Sequence, residues 1–213
     1  MSRLTMWGAL AGVAAAACCA VAISQDAGKK PAAAKAADDH CAQAMAMGIP
    51  GDHHKQLEYM VGEWNYTCKM WMDPAAPPNE SAGVCVTRPL MDGRFFQSDH
   101  SGKFKMPGPD GSMMDVDFKG MALTGYDNAK KCFVGAWIDN MSTSIMSTTG
   151  TYDASSKTYT YVGECEEVPG VTVKIRELIR IIDKDKHSFE FFRTMDGKEI
   201  KVMELTYTRK KSA

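Results

Sequence analysis

The chain has 213 residues, of which 45% are hydrophobic and 24% charged, and its formal net charge is −1. This composition suits one domain with a hydrophobic core and excludes a chain that is disordered throughout. Because the net charge is near zero and no basic patch stands out, nucleic acid is a poor candidate partner.

The first 24 residues have the features of a secretory signal peptide. Arg3 supplies a positive charge, Met6–Ala22 is an Ala-rich apolar stretch, and Ala20–Ala22 fits a small-x-small cleavage site. An uncleaved membrane anchor is the alternative, but the stretch is short for a bilayer span. Cys18 and Cys19 suggest a lipoprotein anchor, which the absence of a Leu three residues earlier disfavours. We therefore expect an exported protein, periplasmic or secreted, with no membrane span after cleavage.

Residues 25–49 form an Ala- and Lys-rich segment with no apolar period that could pack against a core. This composition predicts a disordered linker, in which the many Ala residues allow transient helix. Pro50 and Gly51 mark the start of a domain that spans residues 50–210.

A short amphipathic segment opens this domain. Asp52 is a suitable N-cap, and Leu57, Met60 and Val61 follow at helical spacing. Gly62 is a natural helix stop. The pattern predicts one short helix before the first strand.

Ten runs with β-like patterning follow, and turn-forming residues separate them. No helix-length segment interrupts the runs, which favours an up-and-down antiparallel sheet. A sheet of this width closes to remove its edges. We predict an all-β, up-and-down antiparallel barrel of about ten strands. The predicted strands are Trp64–Met72, Ser81–Met91, Arg94–Phe104, Val116–Tyr126, Lys131–Asp139, Thr143–Tyr152, Lys157–Glu164, Val171–Ile182, His187–Thr194 and Lys198–Thr208.

The Asp196-Gly197 pair predicts a two-residue hairpin turn, which fixes the register of the last two strands. In the run Val171–Ile182 the odd positions are mostly apolar, so they should face inward together with Glu177. The predicted register sets Phe189 opposite Glu204, Phe191 opposite Val202, and Arg193 opposite Ile200.

The chain also resembles a known family. Gly62-Glu63-Trp64 on the first strand and Arg209 after the last strand resemble the signature of calycins, the lipocalin-like barrels. From Pro50 to Lys210 the chain is similar to domain-of-unknown-function family 1579. This resemblance implies an exported bacterial barrel, with Trp64 and Arg209 closing one end through cation–π contact, and it implies no activity. The segments that carry it are His54–Glu58, Val61–Trp64, Lys69–Met72, Gly93–Phe95, Gly125–Asn128, Val134–Asp139, Gly150–Tyr152 and Lys201–Glu204.

Three charged residues, Glu177, Arg193 and Glu204, are predicted on the inward face of the barrel. Unpaired carboxylates are costly there, so they pair with Arg193 in a salt bridge or line a wet cavity and meet a ligand. A carboxyl with a raised pKa could also act as a general acid or base. The candidate ligand-binding residues are Glu177, Arg193, Glu204, Phe189, Phe191, Trp137 and Tyr126.

The leading functional hypothesis is a non-enzymatic barrel that binds a small, mainly apolar or amphipathic ligand in its interior. The alternative is a barrel enzyme that uses an interior carboxylate as general acid or base. No motif identifies a cofactor or an oligomeric state.

The cysteines suggest one disulfide. Signal cleavage leaves Cys41, Cys68, Cys85, Cys132 and Cys165. The loop Asp73–Glu80 has its centre between Ala76 and Pro77, so a symmetric hairpin sets Cys68 opposite Cys85. Directly opposed residues are close enough for a disulfide, and export supplies an oxidising compartment.

A soft-metal site in the N-terminal segment is a further hypothesis. Thiolate, thioether and imidazole groups suit Cu(I). No ligand spacing repeats, however, and a flexible tether is the alternative. The candidate ligands are His40, Cys41, Met45, Met47, His53 and His54.

Overall fold

The computed structural model describes residues 32–108, 110 and 112–211, so the predicted signal peptide lies outside the described residues. The chain divides after Cys41, and the second unit, Ala42–Ala213, contains the barrel. Helix α1 covers Ala32–Met47, where the sequence predicts a disordered linker. Eight of its sixteen residues are Ala, the strongest helix former, which accounts for the difference.

The predicted short helix is confirmed. Helix α2 covers Asp52–Gln56 and continues as a 3-10 turn over Leu57–Met60. Gly51, rather than Asp52, occupies the N-cap position. Leu57 and Met60 are buried, so the apolar stripe of this segment packs into the barrel.

The barrel has ten antiparallel strands, as predicted. Each strand pairs with its neighbours in the chain, and β1 pairs with β10 to close the sheet. The strands are β1 Gly62–Met70, β2 Asn79–Leu90, β3 Phe95–Pro107, β4 Met113–Asp127, β5 Cys132–Asp139, β6 Met146–Asp153, β7 Thr158–Val168, β8 Val171–Asp183, β9 Lys186–Met195 and β10 Lys198–Arg209.

The α2 segment defines one end of the barrel, which we call the helix end. Trp64, near the start of β1, donates from Nε1 to the Met60 carbonyl oxygen at 2.8 Å, so α2 lies beside the start of this strand. Because the sheet is a meander, the β1–β2, β3–β4, β5–β6, β7–β8 and β9–β10 connections lie at the other end, which we call the opposite end.

The barrel interior is packed most tightly at the helix end. One buried cluster there joins Leu57 and Met60 to Phe96, Phe133 and Tyr159. A second cluster lies along β1, β2 and β10 and consists of Trp64, Tyr66, Cys68, Cys85, Leu205 and Tyr207. The inward residues that are charged or partly exposed, Glu177 and Arg193 among them, lie outside these two clusters and nearer the opposite end.

Candidate binding site in the barrel interior

Inward-facing glycines allow large aromatic rings to lie against the barrel wall. A Cβ placed on Gly83 would lie 2.4 Å from Tyr66 Cζ, and one on Gly120 would lie 2.4 Å from Trp137 Cζ2. Gly150 stands in the same relation to the Tyr161 ring. Each ring occupies the space that a side chain on the neighbouring strand would fill. The rings therefore line the wall, where their faces can contact a ligand.

Glu177 places a carboxyl group in this interior. It lies on β8 opposite Tyr161 of β7 and Phe191 of β9, on the same face as the buried Ile175. Burial raises the pKa of Glu177 to about 7, and within the part of the chain that the structure describes no hydrogen bond or opposite charge counters this shift. The carboxyl is thus largely protonated below neutral pH and can both donate and accept a hydrogen bond.

Arg193 does not pair with Glu177. It faces Ile175 and Ile200, the second as predicted from the Asp196-Gly197 turn. Its guanidinium forms an ion pair with Glu167 near the opposite end of the barrel. The Arg193 Nε atom is buried and has no hydrogen-bond partner among the described residues.

The predicted inward position of Glu204 is wrong. A β-bulge between Lys201 and Met203 shifts the β9–β10 register by one residue, so Glu204 lies opposite Glu190 rather than Phe189. Lys201 Nζ lies 2.6 Å from Glu204 Oε2 and 3.0 Å from Glu190 Oε1. Glu204 therefore belongs to an ion-pair group on the outer face.

The candidate aromatic residues do not form one group. Phe189 and Phe191 face inward on β9 with ring centroids 6.4 Å apart. Trp137 donates from Nε1 to Asp139 Oδ2 at 2.7 Å and lies edge-on to His100. Tyr126, by contrast, lies at the helix end, with its ring 4.2 Å from that of His53. Tyr126 and Trp137 thus lie towards different ends of the β4–β5 pair.

Two histidines, the half-buried His100 and the buried His187, also face the interior. His100 Nε2 lies 3.0 Å from Tyr207 Oη, and burial lowers the pKa of His100 to about 4. His187 stacks on Tyr207 with ring centroids 4.4 Å apart, and burial lowers its pKa to about 3. Both imidazoles are therefore neutral at physiological pH.

The match to a family covers the whole barrel. The sequence profile of DUF1579, described as a protein of unknown function, matches residues 49–209. The chain belongs to the DUF1579 family. A search of curated proteins finds no match.

One solved structure similar to this DUF1579 chain is a protein of unknown function from the DUF3598 family of Nostoc punctiforme. The two share 7% sequence identity, the match covers 76% of this chain and 100% of that chain, and the TM-score is 0.25. At this level of similarity we draw nothing about function from it.

The predicted Cys68–Cys85 disulfide is wrong, because the register of the β1–β2 pair differs from the one predicted. Met70 pairs with Asn79, which places the centre of the β1–β2 loop between Pro74 and Ala75. Cys68 consequently lies opposite Ser81, and Cys85 lies opposite Trp64. Both thiols are free and buried, and burial raises the pKa of each to about 11.

The N-terminal residues proposed for soft-metal binding have separate environments. His54 is buried, and its Nδ1 accepts the Gly51 N–H at 3.0 Å. His40, Cys41, Met45 and Met47 are exposed on α1. Within the described part of the chain, no group of three His, Cys, Asp or Glu residues is arranged to hold a metal ion.

Among the helices that the structure describes, none combines the length and apolar character needed to cross a bilayer.

Proposed function

We propose that this DUF1579 protein binds a small, mainly apolar or amphipathic ligand inside the barrel, with Glu177 orienting the ligand. The observation that carries this proposal is the position of Glu177: an inward carboxyl between Tyr161 and Phe191, with a pKa near neutrality and no ion-pair partner among the described residues. A carboxyl without a partner in an apolar interior is costly, so such a group is rarely kept for packing alone.

The surroundings of Glu177 suit a ligand with a large apolar part. Val173 and Ile175 supply an aliphatic wall on β8, and Phe189 and Phe191 supply aromatic rings on β9. Apolar area with a few polar groups is the usual composition of a small-molecule site.

Solvent exposure differs between the two ends of the interior. Phe133 and Tyr159, which face the helix end, are 2% and 1% exposed. Glu177, Phe189, Phe191 and Arg193 also point inward, yet each is partly exposed. These partly exposed side chains support access from the end opposite the helix, where Val173 and Ile175 of β8 are themselves buried.

The test compares Glu177→Gln with Glu204→Gln, a matched control because Glu204 lies on the outer face. Each protein is purified from its own host and examined by native mass spectrometry for a co-purifying ligand. We expect ligand mass on the wild type and on Glu204→Gln, and less of it on Glu177→Gln. Equal retention by the two variants, or no ligand on the wild type, would contradict the proposal.

A barrel enzyme is the second candidate, favoured by the pKa of Glu177 near 7, which suits a general acid or base at physiological pH. If the co-purifying ligand is a substrate that the protein converts to a product, Glu177→Gln should abolish turnover while retaining part of the ligand binding. The rate should then follow the titration of a carboxyl group near pH 7.

We further propose that the protein is exported, on the basis of the signal-like residues 1–24. The mass of the mature chain from its own host tests this, because cleavage after Ala22 or nearby removes the N-terminal stretch. A full-length chain in the cytosolic fraction would overturn it.

A further inference from the structure

We propose that Tyr59 Oη and His187 Nδ1 form a hydrogen-bonding anchor, at the helix end of the barrel interior, for an uncharged hydroxyl group of the ligand. The inference deepens the proposed function and depends on it. Glu177 then contacts the ligand nearer the opposite end, and the Tyr59–His187 anchor holds its innermost polar atom.

His187 is a polar side chain held in an aromatic enclosure. It is 8% exposed, it stacks on Tyr207, and its ring centroid lies 4.5 Å from that of Trp64 in an edge-on arrangement. Its Nδ1 atom is buried and has no hydrogen-bond partner among the described residues. A buried polar atom left without a partner destabilises the protein, so a ligand group that forms a hydrogen bond with it gains a corresponding advantage in binding.

Tyr59 supplies the second unpartnered atom at the same place. Its ring lies edge-on to His187, with centroids 5.8 Å apart, and it stacks on Tyr159. The Tyr59 hydroxyl is also buried and lacks a hydrogen-bond partner within the described residues. Two such atoms on neighbouring rings are unusual, because nearly all buried polar groups are hydrogen-bonded.

The chemistry of this pair favours an uncharged group. Burial raises the pKa of the Tyr59 phenol and lowers that of His187, so both are neutral across the physiological range. A carboxylate placed there would have to compete for Arg209, the cation near His187, whose guanidinium is already hydrogen-bonded to the Val61 and Tyr59 carbonyl oxygens and paired with Asp185. Arg193 lies towards the opposite end and pairs with Glu167. A hydroxyl group both donates and accepts, which matches a phenol beside an imidazole nitrogen.

The spacing along β9 sets the size of the ligand. His187 and Phe191, the residue opposite Glu177, are four positions apart, which corresponds to about 13 Å along a strand. An alcohol with a linear chain of about ten carbons spans a similar length. It could therefore place its hydroxyl at the anchor and its chain beside Glu177 and Phe191.

The experiment uses N-phenyl-1-naphthylamine as a fluorescent reporter of the apolar interior and displaces it with 1-decanol or decanoate at pH 8. For the wild type we expect decanol to displace the reporter at a concentration at least about 10-fold lower than decanoate, because burying a carboxylate is costly. Tyr59→Phe and His187→Phe should each weaken decanol about 3–10-fold and leave the reporter affinity unchanged, as expected for the loss of one hydrogen bond. Tyr152→Phe, which removes a phenol hydroxyl on β6 from a ring 4.5 Å from that of Tyr159, is the matched control and should change neither value.

The outcomes separate this inference from the proposed function. If the reporter fails to bind the wild type, the proposed function is overturned and the anchor with it. If the reporter binds but decanoate competes as well as decanol, or Tyr59→Phe leaves decanol binding unchanged, the anchor alone is overturned. In that case the two atoms serve only a buried water or the packing. Urea unfolding of ligand-free Tyr59→Phe checks that the variant folds.

Discussion

The guanidinium of Arg209 lies over the indole of Trp64, with its Cζ atom 4.0 Å from the ring centroid. Arg209 also donates from Nη1 to the Val61 carbonyl oxygen and from Nη2 to that of Tyr59, both at 2.7 Å. Since Trp64 lies on β1 and Arg209 ends β10, this contact joins the two strands that close the barrel to the segment carrying Tyr59.

Removal of either partner should destabilise the fold. Trp64 is 1% exposed, so Trp64→Ala should lower the free energy of unfolding by about 3–5 kcal/mol, the range for deleting a buried aromatic side chain. Arg209→Lys keeps the charge but loses the paired hydrogen bonds, and should cost about 1–3 kcal/mol. Urea unfolding measures both values.

Lys210→Ala serves as the control for these variants, because its ion pair with Glu63 is exposed on both sides. It should change the free energy of unfolding by less than about 0.5 kcal/mol. If Arg209→Lys were as stable as this control, the closing role of Arg209 would be excluded.

The thiols of Cys68 and Cys85 should be free and slow to react. Both are buried with a pKa raised to about 11, so little thiolate is present at pH 8. Cys41 is exposed and should react first with a disulfide reagent under native conditions. Peptide mapping without reductant tests the same point, and a Cys68–Cys85 disulfide peptide would show that the β1–β2 register is wrong.

The strands could be predicted because their alternation and their turns are local properties of the sequence. The Asp196-Gly197 turn is an example: both residues have positive φ, 50° and 74°, as a two-residue hairpin of this kind requires. The turn fixed the pairing of Arg193 with Ile200 correctly.

The wrong predictions concern features that tertiary packing, rather than local sequence, determines. The bulge after Lys201 moves Glu204 to the outer face, and no local turn signal marks it. In the same way, β1 ends at Met70 and β2 begins at Asn79, each two residues earlier than the sequence pattern predicts, so Cys68 and Cys85 do not face each other. The Tyr59–His187 anchor depends on contacts between distant segments, which periodicity does not report.

Gly120 should be intolerant of even a methyl group. Its missing side chain leaves room for the Trp137 ring, and a Cβ there would lie 2.4 Å from Cζ2. We expect Gly120→Ala to cost about 1–3 kcal/mol through overpacking and to change the Trp137 fluorescence. Gly48→Ala, where the nearest atom is 3.4 Å from the added Cβ, should have little effect.

A double variant tests whether Gly120→Ala destabilises the protein through a clash with the Trp137 ring. Gly120→Ala combined with Trp137→Ala should cost less than the sum of the two single changes, because the clash disappears with the indole. If the two changes in the free energy of unfolding were strictly additive, the cost of Gly120→Ala would come from the backbone conformation at Gly120 and not from the Trp137 ring.

The stability of the protein should fall as the pH rises through the titration of Glu177. Burial raises the folded-state pKa from 4.5 to about 7. Below pH 4.5 the carboxyl is protonated in both states, and between pH 4.5 and 7 the unfolded chain loses its proton while the folded chain keeps it. The folded state then binds more protons, so the free energy of unfolding decreases over this interval by about 1–3 kcal/mol. Above pH 7 Glu177 causes no further decrease.

Glu177→Gln should remove that decrease, and Glu204→Gln, on the outer face, should retain it. Urea unfolding between pH 4.5 and 8 measures the slope; an equal slope in the wild type and in Glu177→Gln would show that Glu177 is ionised in the folded protein and does not lie in the barrel interior.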